Sequence, residues 1–245
     1  MNTTPDGIRI DTTRNTHETA AELLFQEQDM RDVLDIPCGE GAFTSRLLEK
    51  GLTVHAGDCV DGMKATGASF KVCDMNDPLP FDDSQLDAVV SIDGIEHIKR
   101  PFDFVMECSR VIRPGGILIV STPNISALRS RWRWFLTGFH NKCKRPLDEG
   151  NPSPRHHINM LSFPSLRYML HTNSFRITSV QTNRIKPVSW IYAIAVPFLY
   201  LVTLRTFLRE EKDLAQRERN RELLGQLFSS PVLFGETLVV KAARC

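Results

Sequence analysis

The chain has 245 residues, 42% hydrophobic and 24% charged, so it can bury a core and is neither wholly disordered nor a fibrous repeat. Its 30 Lys and Arg against 29 Asp and Glu leave a formal charge of +1, which excludes nucleic-acid binding through a bulk field. An anionic partner would have to be held by a local patch.

Met1 to Asn15 is polar and aperiodic. It reads as a mobile arm and lacks the basic and apolar regions of a secretory signal. Over 16–31, Ala20, Leu23 and Leu24 recur at helical spacing, with Thr16 as a plausible N-cap. Val33–Ile36 is a short apolar run, a first strand, ending in a glycine turn. A helix opens from that turn in FTSRLLEKG and closes at Gly51. LTVHAG reads as a second strand ending at Asp58, SFKVCD as a third ending at Asp74, and LDAVVSID as a fourth. A helix over 102–112 and the turn Arg113-Pro114-Gly115-Gly116 lead into a fifth, GGILIVSTP. Later, FPSLRYMLHTNSF looks helical, while RITSVQT and ETLVVKAA look like strands. Val- and Ile-rich strands alternating with helices predict an α/β fold, a parallel sheet with helices on both faces.

The length suits one domain with insertions, so 1–245 is read as a single unit. A cofactor-binding half spans 16–124, a basic and aromatic insertion 125–155, and an acceptor-side half 156–245 with an apolar segment over 187–208. Both irregular stretches stand where a compact α/β unit needs only a short connection. The six cysteines show no C-x-x-C spacing and no His/Cys cluster, so no metal site is expected. Free cysteines in a chain of this size point to the reducing cytoplasm.

The informative segment is the turn Gly39-Glu40-Gly41 at the carboxyl end of the first strand. Open α/β sheets bind ligands there, and glycine lets a ligand approach the backbone. A dinucleotide fingerprint needs glycine where Thr44 stands. Asp35 and Glu40 would repel a pyrophosphate and attract an ammonium group. S-adenosylmethionine is a ligand of that kind.

VLDIPCGEGAF resembles motif I of the class I S-adenosylmethionine-dependent methyltransferases, with Pro37 in place of the first glycine. The resemblance runs through AGDCVDGM, FKVCDMNDPLPFDDSQLDAVVSIDGIEHI and VIRPGGILIVSTPN, and covers about 33–124. RHHINMLSFPSLRYMLHTNSFRITS resembles a stretch of quinone-type and glycan-type members. The resemblance implies a doubly wound Rossmann-like sheet, mostly parallel, with an antiparallel last strand. It implies cofactor contacts from Asp35, Pro37, Cys38, Gly39, Glu40, Gly41 and Phe43 around the turn. Asp58 and Cys59 would meet the ribose, Asp74 and Met75 the adenine, and Ser91 and Ile92 the methionine moiety.

Methyl transfer from a sulfonium is an in-line displacement, in which the protein mainly aligns donor and acceptor. A hydroxyl acceptor also gains from a general base. His97 is the first candidate, with Glu96 orienting it. His157 is the second, with His156 as its alternate. The competing reading makes His97 a loop cap and His157 a histidine bonded to backbone. Asn124 either lines the acceptor pocket or caps a helix.

Two features point to the acceptor. From Asn124 to Leu147 there is no acidic residue, while Arg129, Arg131 and Arg133 alternate with Trp132 and Trp134. Such a stretch suits an anionic membrane surface or a phosphorylated acceptor, or is simply a solvated basic helix. Val188–Leu204 is almost wholly apolar, with Pro197 inside it. A spanning helix needs about 20 apolar residues. A strand that must return to the sheet favours an excursion onto the membrane surface, or a buried helix. The expectation is a peripheral enzyme of the cytoplasmic membrane face. It would methylate, on oxygen, a lipid-like or lipid-linked acceptor such as a prenylated quinol or an envelope glycan. The alternatives are a methyltransferase of a soluble small molecule, with the apolar segment as lid or dimer interface, and an inactive cofactor-binding module.

Overall fold

Each apolar run of the first half exposes one face upward and one downward, and helices cover both. The result, in a computed structural model that describes residues 2–209 and 213–245, is a seven-stranded sheet. A small ribbon pairs β1 (Asn2–Thr3) with β2 (Arg9–Ile10). Then come α1 (Thr16–Phe25), β3 (Asp32–Asp35), α2 (Ala42–Glu49), β4 (Thr53–Asp58), β5 (Ser69–Val72), β6 (Leu86–Ser91), α3 (Pro101–Val111) and β7 (Ile112–Pro123). The second half holds α4 (Leu128–Thr137), α5 (Phe163–Thr172), β8 (Phe175–Thr182), a 3₁₀ helix (Pro187–Ala195), α6 (Val196–Arg209), α7 (Leu214–Leu227), α8 (Ser230–Phe234) and β9 (Thr237–Arg244).

The strand order is β5-β4-β3-β6-β7-β9-β8, parallel from β5 to β7, with β9 antiparallel to both neighbours. This is the Rossmann-like sheet with a reversed last strand that the sequence led us to expect. The period of two along each strand divides the core into two layers. Leu34, Ile36, Val89, Leu118 and Val240 face the layer closed by α3 and α5. Val33, Val54, Val90, Ile119 and Val239 face the layer closed by α1 and α2.

Three local outcomes differ from the sequence reading. Helix α1 is capped by Asn15 in the left-handed region at φ 67°, not by Thr16, whose hydroxyl instead donates to the Thr13 carbonyl. The stretch read as a mobile arm forms the ribbon and ties itself to the site edge. Its Arg9 N–H donates to Glu40 at 2.9 Å, and its Thr12 hydroxyl donates to Asp93 at 2.5 Å. Helix α7 was not anticipated, because its apolar stripe is sparse and only Leu224 and Leu227 are buried. It is held by Arg167 of α5, a buried guanidinium donating to Glu222 at 2.8 Å and to Gln226 at 2.5 Å.

The apolar segment Pro187–Phe207 is 21 residues long, with mean hydropathy 1.7 and only 6% burial in its most apolar stretch. A buried core helix is therefore ruled out. Pro197 does not break the segment, because it falls in the first turn of α6, where no intrahelical N–H is needed.

Candidate functional site

Parallel strands bring the loops after β3, β4, β5 and β6 to one edge of the sheet. Asp35 closes β3, buried at 1% exposure, and accepts a 2.6 Å hydrogen bond from the Thr44 hydroxyl of α2. Burial pushes its carboxyl up to about 7, against the pull of Thr44 and with a further push from the Asp58 charge. Thr44 thus holds this carboxylate, which explains why the position is not glycine. Gly39 lies in the left-handed region at φ 54°, and a side chain there would meet nothing within 4 Å. Its N–H donates to Asp58 at 2.9 Å, and the other Asp58 oxygen accepts from the Val60 N–H at 3.0 Å. The open side of the turn is therefore Gly39, with Asp58 beside it.

Several of the residues expected to meet the cofactor are also engaged by the chain itself. Gly41, at φ 92°, is pressed by the chain's own loop: a Cβ there would lie 2.7 Å from the Ala65 Cβ. Its missing side chain makes room for residues 63–65. Glu40 is engaged by Lys64 at 2.8 Å and by the Arg9 N–H at 2.9 Å, and these bonds hold its carboxyl below the usual range. It anchors the ribbon. Phe43 is 2% exposed, against His17 at 5.2 Å, and supports the turn from inside the core. Met75 is likewise drawn into the core and does not stand free at a ring face. Cys38 is buried, and Pro37 abuts Gly94, where a Cβ would lie 2.3 Å from the proline ring. Cys59 and Asp74 are exposed and border a shallow cleft of about 420 Å³ with Cys73 and Pro78.

Sequence reasoning missed two organisers of this edge. Asn76 donates from its backbone and side chain to Asp74 at 2.8 Å and accepts from the Lys99 N–H at 2.7 Å, which couples the third loop to the fourth. Asp93, at φ 46°, accepts from Ser121 at 2.7 Å as well as from Thr12. Like Asp58 and Asp74, it is an acid just past a strand end, so its signal was available. Ser91 and Ile92 lie where expected, at the end of β6 and buried.

Past β6 the chain places the proposed catalytic residues together. Glu96 is fully buried; the Thr122 hydroxyl is the side chain that acts on its carboxyl, and it falls short of hydrogen-bond geometry. Burial, reinforced by the Asp93 charge, raises its carboxyl well above the usual range. His97 and His157 meet edge to face at 4.7 Å. His97 Nδ1 lies 3.1 Å from the His156 carbonyl, the Asn159 N–H donates to the Glu96 carbonyl at 2.9 Å, and the Asn159 amide donates to the Ile98 carbonyl. These bonds bring two loops about sixty residues apart against each other. Burial lowers both histidines, and His97 lowers His157 further, so both imidazoles are neutral near pH 7. Glu96, His97 and His157 each offer a ligand atom within 4.8 Å of the others, a grouping that the sequence reading did not single out.

Beyond His157 opens a cavity of about 700 Å³, whose walls carry Arg129, Lys142, Lys144, Arg145, Arg155 and Lys186. Against them stand Asp148 and Glu236. Burial opposes the Glu236 charge, but hydrogen bonds from Arg184 and Lys186, and the charge of Lys142, hold its carboxyl at about 2. Asn124 lines the cavity and caps no helix among those described, but its amide is not free to a ligand. Its amide donates to the Pro231, Val232 and Gly235 carbonyls at 3.0–3.1 Å and pins α8 behind the cavity. Of the basic and aromatic helix, Arg129 lines the cavity, Arg133 bonds the Lys144 carbonyl, and Arg131, Trp132 and Trp134 are exposed.

Residues 34–120 match the family described as a methyltransferase domain. A relative in Mycolicibacterium smegmatis, described as a probable S-adenosylmethionine-dependent methyltransferase, is 35% identical over 113 residues, 44% of each chain. The demethylmenaquinone methyltransferase of Clavibacter sepedonicus is 31% identical over 133 residues, 49% of this chain and 50% of that one. The matches thus span about half the length of these relatives or less. The crystal structure of a methyltransferase from Archaeoglobus fulgidus shares the fold over 93% of this chain and 92% of that one, with a TM-score of 0.57 at 18% identity.

Proposed function

From a chain whose residues 34–120 match a methyltransferase domain, we propose a class I S-adenosylmethionine-dependent enzyme that moves the sulfonium methyl group to an oxygen of an anionic, lipid-linked acceptor. One observation carries this reading: the site edge is divided by charge. Asp35, Asp58, Asp74 and Asp93 stand on the β3–β6 side, and Lys and Arg side chains line the cavity on the β7 side. A cationic donor suits the first and an anionic acceptor the second. Glu96, His97 and His157 lie at the boundary between them.

The chemistry follows from that division. The acidic side holds the ammonium and ribose ends of the cofactor and aims its methyl group across the boundary. Lys and Arg hold a phosphate or similar group of the acceptor, Arg in two-pronged fashion. A neutral imidazole, His97 or His157, is in the form that can take the proton of an attacking hydroxyl. Alignment supplies most of the rate in such a displacement.

The lipid part rests on the surface beside the cavity. Ile191, Ile194 and Phe198 are about 70–90% exposed, and α4 packs beside the 3₁₀ helix with Trp132, Trp134 and Phe135 facing out. Exposed aliphatic residues flanked by Trp and Arg match an anionic membrane interface. We place the protein at the cytoplasmic membrane face, where the apolar segment enters the headgroup region and the cavity receives the acceptor's polar head. The relative named for demethylmenaquinone supports a lipid-like acceptor, while the cavity's cations favour a phosphate-bearing one over a neutral quinol.

The test incubates the protein with methyl-labelled S-adenosylmethionine and a membrane lipid extract. Label in an organic-phase product that loses its lipid on mild acid hydrolysis supports a phosphate-linked acceptor. Label in an acid-stable quinol replaces it with the quinol. Label confined to water-soluble metabolites removes the lipid. Cofactor binding by calorimetry with no turnover on any fraction leaves only a binding module.

A further inference from the structure

We propose that Glu96, His97 and His157 form a site for one divalent transition-metal ion of the zinc class, at the inner end of the cationic cavity. A carboxylate oxygen and one nitrogen of each imidazole already lie within 4.8 Å of one another. Ligands of a tetrahedral zinc ion at about 2.1 Å sit roughly 3.4 Å apart, so coordination needs side-chain adjustment and no backbone change.

Two further observations point to a ligand. Both Glu96 oxygens and His157 Nδ1 are buried short of hydrogen-bond geometry with any group among the described residues, the Thr122 hydroxyl being the one side chain that acts on the Glu96 carboxyl. Leaving three polar atoms desolvated and unpaired is costly, and a cation satisfies all of them. In addition, His97 Nδ1 faces the His156 carbonyl at 3.1 Å. Donation from Nδ1–H to that carbonyl leaves the Nε2 lone pair free, the outer arrangement that orients metal-bound histidines. The positive charge of Lys142 nearby is offset by Glu236, which it meets at 3.5 Å. Asp93 adds a negative charge close to Glu96 and to both histidines.

Two imidazoles and one carboxylate leave a fourth position open, the mark of a catalytic rather than a structural zinc site. The role of that position rests on the methyl-transfer reading; the site itself does not. The acceptor hydroxyl binds there, loses its proton to water because the ion lowers its pKa, and attacks the sulfonium methyl carbon. The C–O bond forms as the C–S bond breaks, and S-adenosylhomocysteine leaves neutral. Ligation takes both imidazole lone pairs out of proton transfer, and acidification of the hydroxyl replaces them.

The experiment titrates Co²⁺ into chelator-stripped, tag-free protein and follows visible d–d bands. Tetrahedral bands saturating at one Co²⁺ per chain and displaced by equimolar Zn²⁺ support the site. Affinity should fall in Glu96→Gln and in His157→Ala by more than the about 10–100-fold that losing an outer partner costs. His156→Ala, which keeps the backbone carbonyl, should bind as wild type. Absence of the bands, equal binding in all three variants, or thiolate charge-transfer bands from a cysteine site would each overturn the proposal. Calorimetry with S-adenosylmethionine on the same samples separates the two readings. Cofactor binding without a Co²⁺ signal sinks the ion and spares methyl transfer, and the reverse result does the opposite.

Discussion

The two sides of the site edge solve opposite problems. On the cofactor side three of the four acids are satisfied over short sequence distances, Thr44 on Asp35, Gly39 on Asp58 and Asn76 on Asp74, while Asp93 draws on Ser121 and Thr12. On the acceptor side the cations line an open cavity, and what holds their loops comes from far along the chain. Lys142 reaches Thr13 at 2.8 Å, and Asn183 reaches the Arg14 carbonyl at 2.9 Å. The first side is preorganised by its own strand ends, and the second is assembled by insertions laid over them.

The sharpest break in that comparison would come at the boundary. His97→Ala should lower turnover by roughly 10²–10⁴-fold while cofactor affinity changes little, read as a split between kcat and the calorimetric Kd. Unchanged turnover would take His97 out of the chemistry. Next, Asp35→Ala removes a buried carboxylate from the donor pocket. It should weaken S-adenosylmethionine binding about 100-fold, in line with a charged hydrogen bond of roughly 1.5–3 kcal/mol. Wild-type affinity in that variant would undo the assignment of the acidic side.

A smaller effect sharpens the same point through pH. In the free protein the Asp35 carboxyl is held up to about 7, so below that pH it is protonated and must lose its proton to meet an ammonium. Cofactor affinity should therefore rise with pH, by up to about tenfold per unit below 7, and level off above it. Asp35→Asn should bind weakly and show a flat profile. The same shift bears on folding. A carboxyl raised above its unfolded value stabilises the fold below about pH 4, and that contribution fades as pH climbs through 7. The smallest effect belongs to the outer surface. Arg131→Glu should weaken binding to anionic vesicles by at least about fivefold, since one basic residue near such a surface contributes about 1 kcal/mol. Flotation assays that show no change would detach this face from the membrane.

The donor side was legible in the sequence because its parts follow strand by strand. Acids past the ends of β4 and β5 and the glycine turn past β3 all announce themselves within a few residues of an apolar run. Even there, side-chain duty was not legible. Glu40 and Phe43 sit in the motif, yet one binds Lys64 and the other fills the core. Sequence distance to a partner carries no signal for either. The acceptor side was legible only as composition, in basic and aromatic clustering and in an apolar run.

The alternation of apolar runs with helical spacing, and the turn chemistry at each strand end, were enough to determine the sheet, its layers and the edge at which the loops after the parallel strands gather. These depend on contacts between near neighbours and on periodicity. The meeting of Glu96 and His97 with His157, the cavity behind them and the exposure of the apolar segment were decided only by the tertiary structure. Two loops sixty residues apart acquire a common geometry only after the strands beneath them are in register, and a run of hydrophobic residues does not say whether protein or something else will cover it.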